Sequence, residues 1–216
     1  MNNKIIFLFI IFILLLFTYN SYKNDNNDNN DKNDKNDNII YIPNFLNHQD
    51  FTQMIKLDKD KNNFIYEQFR YTKPLHDRFV YDIFYSTHYI NKLRNYLTTD
   101  IFASDFPIEH RFYHKESPGM RWHTDTLLYE KPQYEAIYTI NNQSGSMTQW
   151  YGENGEMNEL WTEPNSLLVV KAGGYKHRVT PMVSGEREIL KLIYTPTHNT
   201  NENFHKEMIR FNKFKM

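Results

Sequence analysis

The sequence contains no cysteine, which excludes disulfide bonds, thiolate metal ligands and a cysteine nucleophile. Most structural zinc sites depend on thiolates, so they are excluded as well. An excess of positive charge is also missing, because 25 Lys and Arg residues stand against 26 Asp and Glu residues. Proteins that bind the phosphates of nucleic acids need a basic surface. We therefore expect no nucleic-acid partner.

The sequence also lacks an uninterrupted apolar run of roughly 18 residues, the length that a membrane-spanning helix needs. The run at residues 5–17 is shorter, follows Lys4 and has the length of the apolar part of a signal peptide. Residues 18–21 offer no cleavage pattern of small residues, so residues 1–20 are predicted to be either a signal peptide or an uncleaved signal-anchor that forms a transmembrane helix. The expected location is the secretory-pathway lumen or, as a single-pass protein, the membrane.

The composition changes twice after this segment. Residues 21–38 are dominated by Asn, Asp and Lys, and they lack the apolar surface that would offset the entropy cost of ordering. They are predicted to be a disordered linker. Residues 39–216 leave about 180 residues, enough for one domain with a full core. Within it, a strand is predicted at 39–42, a helix from Asn47 to about residue 57, and a second helix that begins at Ser86 or Thr87.

The second half of the chain is predicted to consist mainly of strands. Gly, Pro and Asn turns separate seven candidates, at residues 111–114, 120–126, 134–140, 148–151, 166–170, 176–180 and 189–195. Seven or eight strands close one double-stranded β-helix, also called a jelly roll. The predicted fold is therefore mainly β with flanking α-helices, in which a jelly-roll core carries an N-terminal helical layer. Residues 205–216 are expected to form a solvated terminal helix.

A possible metal site begins with His123 and Asp125, which lie two positions apart in a predicted strand. Side chains at this spacing project from the same face of a strand, so both can reach one ion. A second imidazole from a distant strand would complete the two-histidine, one-carboxylate triad of non-haem Fe(II) oxygenases, and His177 is the candidate. The similar pair His48 and Asp50 lies at a predicted helix start, where positions i and i+2 point apart.

The run from His177 to Arg187 contains a Val-x-Pro segment and a glycine two positions before the arginine. With these features, residues 111–194 resemble the 2-oxoglutarate/Fe(II) dioxygenases, and within them the prolyl 4-hydroxylase and lysyl hydroxylase group. In that family a basic residue about ten positions after the distal iron histidine pairs with the far carboxylate of 2-oxoglutarate. The resemblance implies Arg187 for this role, with Lys191 on the same strand face as the alternative.

The resemblance also implies further contacts to the co-substrate and the substrate. Tyr113 and Thr139 fall where the family places hydroxyls that hold 2-oxoglutarate. Three aromatic residues are candidates for the substrate pocket, namely Trp122, Trp150 and Tyr151. A lysyl substrate would need a carboxylate for its ammonium group, which Glu153 or Glu156 would supply.

The reaction that the resemblance implies is a hydroxylation that uses Fe(2+), O2 and 2-oxoglutarate and releases succinate and CO2, with L-ascorbate returning the iron to the ferrous state. The expected substrate is a polypeptide, with peptidyl proline first, as in procollagen-proline 4-dioxygenases, then lysine, then small molecules. Two alternatives remain open. One is a catalytically inactive, membrane-tethered jelly-roll binding module, and the other is a cupin-like enzyme that uses another divalent metal without 2-oxoglutarate.

Overall fold

The structure is a computed structural model that describes residues 37–67 and 69–211. The predicted signal peptide or signal-anchor at residues 1–20 lies outside this range, as does the predicted linker except for its last two residues. Over the described residues no helix is long and apolar enough to cross a membrane, since the α-helices have seven to nine residues where a bilayer needs about 20. This finding contradicts the predicted transmembrane helix, signal-anchor and membrane partner. We correct that prediction for the described residues.

Two of the helices begin at the predicted residues. Helix α1 (His48–Ile55) begins after Asn47, whose side chain accepts a hydrogen bond from the backbone N–H of Asp50. Helix α2 (Arg78–Phe84) was not predicted, whereas α3 (Thr87–Arg94) follows the predicted cap Ser86. Helix α4 (Glu202–Arg210) forms near the C-terminus.

The strands form two antiparallel sheets, which confirms the predicted jelly-roll fold. They are β1 (Ile39–Ile42), β2 (Ile65–Glu67), β3 (Arg70–Pro74), β4 (Phe102–Ala103), β5 (Glu109–Tyr113), β6 (Met120–His123), β7 (Tyr134–Asn142), β8 (Thr148–Tyr151), β9 (Met157–Leu160), β10 (Ser166–Lys171), β11 (His177–Val179) and β12 (Arg187–Thr195). The larger sheet has the order β1-β10-β7-β12-β5-β3-β2, and β4 pairs with β12. The smaller sheet has the order β6-β11-β8-β9.

The larger sheet separates an apolar core from a more polar interior. On β7 and β12, alternate side chains pack with the helices in one buried cluster, namely Tyr134, Ala136, Tyr138, Ile140, Leu190, Leu192 and Tyr194. Because neighbouring residues of a strand project from opposite faces, the intervening positions face the inside of the jelly roll. Those positions include Glu135, Arg187 and Lys191. The register that buries the apolar core therefore also directs these charged side chains into the interior.

Asp37 fastens the start of the described domain to the larger sheet. Its buried carboxylate accepts hydrogen bonds from Thr98 Oγ1 at 2.6 Å, Tyr134 Oη at 2.7 Å and Lys171 Nζ at 2.8 Å. Burial alone would raise the pKa of this carboxyl, but the three hydrogen bonds lower it below the usual range of an aspartate. The stability that Asp37 contributes is therefore present above about pH 4 and is lost as the pH falls further.

We expect Asp37→Ala to lower the free energy of unfolding by about 2 kcal/mol, because charged hydrogen bonds are lost and a buried hydroxyl is left without its acceptor. Urea unfolding at neutral pH measures this change. Asp77→Ala is the matched control, since the Asp77 side chain makes no capping hydrogen bond to α2. Equal unfolding midpoints for the two variants would contradict the anchoring role of Asp37.

Candidate metal centre

The smaller sheet brings the two predicted histidine ligands face to face. His123 is the last residue of β6, His177 is the first residue of β11, and the two are directly paired across these antiparallel strands. Asp125 lies in the loop after β6 rather than in the strand itself, where its backbone carbonyl accepts a hydrogen bond from Gly173 N at 3.1 Å. The loop, and not the strand period, therefore sets the position of the carboxylate.

The side chains of these three residues converge on one point. His123 Nε2 lies 3.6 Å from Asp125 Oδ1, and His177 Nε2 lies 3.5 Å from Asp125 Oδ2. One ligand atom from each residue lies within 4.8 Å of the other two. Two ligand atoms about 2.1 Å from a shared ion and at a right angle lie about 3 Å apart, so small side-chain rotations bring all three onto one metal ion.

Both histidine rings are oriented by backbone carbonyls. His123 donates its Nδ1–H to the carbonyl of Arg121 at 2.7 Å, and His177 donates its Nδ1–H to the carbonyl of Tyr175 at 3.0 Å. A carbonyl can only accept, so this contact fixes the Nδ1–H tautomer and leaves the Nε2 lone pair for a metal. The ligand set thus has the supporting hydrogen bonds that metal-binding histidines need.

The pKa shifts of the triad follow from burial and from its own carboxylate. The interaction with the Asp125 carboxylate raises the pKa of His123, whereas burial lowers the pKa of His177. Burial would raise the pKa of Asp125, but His123, His177 and Lys191 lower it. Because a metal displaces the proton from His123 Nε2, metal affinity decreases as the pH falls.

A cavity extends from the triad into the interior of the jelly roll. Its empty volume is about 610 Å³, open solvent at its mouth included. Besides the three ligands, its polar lining consists of Arg111, Tyr113, Glu135, Thr148, Arg187 and Lys191. Arg187 is buried, and burial lowers its pKa. Its Nε has no hydrogen-bond partner, and no carboxylate pairs with it among the described residues.

Lys191, the alternative to Arg187, is already neutralised. Its Nζ lies 2.6 Å from Oε2 of Glu135, a buried carboxylate on the neighbouring strand. Burial of Glu135, together with the nearby charge of Asp125, raises the pKa of this carboxyl although Lys191 opposes the shift. Arg187 is therefore the lining cation that still has room for an anionic ligand.

Solved structures resemble this chain, whereas no protein-family model and no curated protein matches its sequence. An oxidoreductase of the 2OG-Fe(II) oxygenase family from Burkholderia pseudomallei aligns at 11% identity with a TM-score of 0.63, covering 76% of this chain and 87% of the other. A Trichoplax adhaerens prolyl hydroxylase in complex with a peptide fragment aligns at 16% identity and a TM-score of 0.60, covering 83% and 93%. The chain has the fold of the 2OG-Fe(II) oxygenases.

A third solved structure with a similar fold contains bound ligands. HygX from Streptomyces hygroscopicus, solved with nickel and 2-oxoglutarate bound, aligns at 10% identity with a TM-score of 0.53, covering 74% of this chain and 83% of the other. Residues 111–194 were predicted to resemble the 2-oxoglutarate/Fe(II) dioxygenases and their prolyl hydroxylase-like group. The solved structures confirm this resemblance as a likeness of fold.

Of the two predicted hydroxyl ligands, only Tyr113 lines the cavity. Tyr113 lines the cavity beside Arg187, and the two residues are paired across β5 and β12. Burial would raise the pKa of the Tyr113 hydroxyl, but the charges of Arg70, Arg111 and Arg187 lower it. Thr139 does not line the cavity, and its hydroxyl already donates a hydrogen bond to Thr162 Oγ1 at 3.0 Å. We therefore leave Thr139 out of the ligand set.

The three predicted pocket aromatics lie on two faces of the smaller sheet of this 2OG-Fe(II) oxygenase fold. Trp122 precedes His123 in β6 but is not among the residues that line the cavity. Its ring stacks on Tyr151 with centroids 4.5 Å apart. The placement of Trp122 and Tyr151 in the pocket was wrong for this reason. Trp150 is paired with His177 and projects to the ligand side, although it does not itself line the cavity.

Two charged lining residues were missed by the sequence analysis, and two expected carboxylates lie elsewhere. Arg111 is two positions before Tyr113 on β5, and Glu135 is a charged residue inside the buried strand β7. Strand periodicity from Tyr113, and a carboxylate within an apolar strand, were the signals available. Glu153 and Glu156 are exposed in the turn between β8 and β9, and neither lines the cavity.

Proposed function

We propose that this protein is an Fe(II)- and 2-oxoglutarate-dependent dioxygenase that hydroxylates peptidyl proline. The observation that carries the proposal is the buried Arg187 without a carboxylate partner in the same cavity as the His123, Asp125 and His177 triad. A buried unpaired guanidinium is unfavourable in a folded protein unless a ligand supplies the anion. The dicarboxylate 2-oxoglutarate provides one.

The residues present fit the metal and the co-substrate. His123, Asp125 and His177 would hold iron through two imidazole nitrogens and one carboxylate oxygen, the donor set typical of non-haem Fe(II) oxygenases. Arg187 would pair with a carboxylate of 2-oxoglutarate, because a guanidinium offers a planar fork that matches carboxylate geometry. The Tyr113 hydroxyl beside it is placed to donate a further hydrogen bond.

Held by His123, Asp125 and His177, ferrous iron with 2-oxoglutarate would supply the oxidation, in which one oxygen atom of O2 would enter succinate as CO2 leaves and the other would be inserted into a C–H bond of the substrate. The protein's own contribution is to orient the ligand side chains and to exclude water. The backbone carbonyls of Arg121 and Tyr175 fix the two histidine rings. The apolar lining residues Ile137, Leu168 and Ile189 would exclude water from their part of the cavity wall. L-ascorbate is proposed as the reductant that restores ferrous iron.

The two alternative functions, a binding module and a cupin-like enzyme, explain the metal triad and the buried Arg187 less well. A jelly-roll binding module without catalysis has no need of a converging metal triad, and a cupin-like enzyme that does not use 2-oxoglutarate leaves the buried guanidinium without an anion. Adding Fe(II) and 2-oxoglutarate to the protein and measuring succinate separates the three. We expect succinate only when both are present. Product formation that does not require 2-oxoglutarate would favour the cupin-like enzyme.

Proline is proposed ahead of lysine because of the charges that remain in the cavity. A lysyl ammonium needs a carboxylate, but Asp125 belongs to the triad and Glu135 is paired with Lys191. A pyrrolidine ring needs only an apolar or aromatic surface, which Trp150 offers beside His177. The Trichoplax prolyl hydroxylase, which was solved with a peptide fragment, supports a polypeptide substrate.

Incubation with collagen-like peptides tests this assignment. We expect mass spectrometry to find a gain of one oxygen atom on proline in proline-rich peptides and none in matched peptides with alanine in place of proline. The His177→Ala variant provides the background. A gain on lysine alone would refute the proline assignment.

The two faces of the smaller sheet provide a matched pair of variants for the peptide site. Trp150→Ala should raise the KM for the peptide about tenfold, the loss expected for one aromatic contact of about 1.4 kcal/mol. Trp122→Ala removes the same side chain from the opposite face, and we expect its peptide KM to stay unchanged. Steady-state kinetics at saturating 2-oxoglutarate measures both. A larger effect for Trp122→Ala would place the peptide on the other face.

A further inference from the structure

Helix α4 carries Arg210, whose partly buried side chain reaches a carboxylate on β5 near the cavity. Helix α4 is held in place by Phe204, whose ring packs against Phe106 and Tyr129. At the end of this helix, Arg210 Nη2 lies 2.9 Å from Oε1 of Glu109, a fully buried carboxylate on β5. Arg210 does not line the cavity, so it can influence a bound ligand only through its charge and through the residues that it holds.

Glu109 is shared between two guanidinium groups. Arg111 Nη2 lies 2.9 Å from each oxygen of Glu109, and Arg111 Nε lies 3.1 Å from Oε2. Arg111 in turn lines the cavity, where its charge helps to lower the pKa of the neighbouring Tyr113 hydroxyl. The buried contacts therefore form a continuous chain from Arg210 through Glu109 and Arg111 to Tyr113.

We propose that Arg210 is a positioning residue for the 2-oxoglutarate site, which it supports by sharing the carboxylate of Glu109 with Arg111. The inference rests on the proposed function. A carboxylate held by a single arginine would cancel the charge of that arginine, whereas Glu109 is held by two, each at 2.9 Å. Arg210 also lies 3.9 Å from a carboxylate oxygen of Glu67 and of Glu207, and both of these contacts are longer than its contact with Glu109. The wall of the cavity near Arg111 and Tyr113 therefore keeps a positive potential, which favours the binding of a dianion in a low-dielectric interior.

The charge argument makes predictions of opposite sign for the two partners. Arg210→Gln removes a positive charge, so the dissociation constant of 2-oxoglutarate should rise about tenfold, the effect of one unit charge roughly 10 Å away in a partly buried site. Glu109→Gln removes the negative charge, so the same constant should fall. A residue with a purely structural role would weaken binding in both variants.

Calorimetric titration of 2-oxoglutarate into the full-length, Mn(II)-loaded protein without O2 measures these constants directly and needs no turnover. Arg210→Lys keeps the charge and should change the constant less than about threefold. Lys206→Gln is the matched control, because Lys206 lies on the same helix, is largely exposed and, among residues 37–67 and 69–211, pairs only with Glu202, one turn away. The Mn(II) stoichiometry of every variant reports whether the triad is intact.

The outcomes separate this inference from the proposed function. If the wild-type protein binds Mn(II) but no 2-oxoglutarate, the proposed function fails and this inference fails with it. If the wild-type protein binds 2-oxoglutarate and Arg210→Gln binds it equally well, only the positioning role of Arg210 is overturned. Weaker binding in both Arg210→Gln and Glu109→Gln would also overturn it. Should Glu109→Gln fail to fold, the difference between Arg210→Gln and Arg210→Lys decides the matter.

Discussion

Replacing His177 by alanine is expected to abolish turnover and to lower Fe(II) affinity by more than about 100-fold, the upper end of the loss seen when only a residue supporting a ligand is removed. The same result is expected for His123→Ala and Asp125→Ala, because each supplies one of the three converging ligand atoms. The domain should stay folded, since the apolar core lies on the other side of the larger sheet. Anaerobic Fe(II) titration and circular dichroism measure the two effects.

The matched control is His48→Ala. His48 and Asp50 have the same spacing as the ligand pair, but they lie at the start of α1 and His48 is exposed. We expect normal Fe(II) binding and turnover in this variant. Retained activity in His177→Ala, or a loss in His48→Ala, would contradict the assigned triad.

Arg187→Met should weaken 2-oxoglutarate binding by at least about 100-fold, because removing one partner of a buried charge pair costs about 3 to 5 kcal/mol. Its effect on the ligand-free protein should have the opposite sign. Arg187 is buried without a counterion among the described residues, so a methionine of similar length should raise the free energy of unfolding by about 1 kcal/mol or more. Urea unfolding with and without 2-oxoglutarate measures both effects.

Lys191→Met provides the comparison for Arg187. Removal of Lys191 leaves Glu135 buried without its cation, so this variant should be less stable than the wild type even without 2-oxoglutarate. If Lys191→Met loses 2-oxoglutarate binding while Arg187→Met retains it, the two residues exchange roles and the assignment of Arg187 is wrong.

Local signals predicted the elements that carry them. Asn47 and Ser86 cap α1 and α3 as their sequences indicate, and β8 spans the predicted residues 148–151. The β2–β3 hairpin was not predicted, because its turn places Phe69 at φ 64°, a conformation that glycine or asparagine usually marks. Helix α2 lacks a side-chain cap hydrogen bond from Asp77, so its start carried no signal either.

The site residues were named from ligand chemistry and from the family resemblance, whereas the strand position expected for Asp125 was wrong because this residue lies in the loop after β6. The residues of the triad and Arg187 were all named from the sequence, and the fold brings them to one cavity. Trp122 and Tyr151 were misplaced because aromatic character was weighed above the alternation of strand faces. The pairing of Lys191 with Glu135 could not be predicted, since it depends on the register of β12 against β7, with its irregularity at Glu188 and Ile189.

The most direct test of the central claim uses isotopically labelled O2 with the Fe(II)-loaded protein, 2-oxoglutarate and a proline-rich peptide. The proposed reaction predicts one labelled oxygen atom in succinate and one in the hydroxylated peptide, with both products lost in His177→Ala and strongly reduced in Arg187→Met at low 2-oxoglutarate. Succinate without the label, or labelled product that forms equally well in the absence of 2-oxoglutarate, would contradict the account.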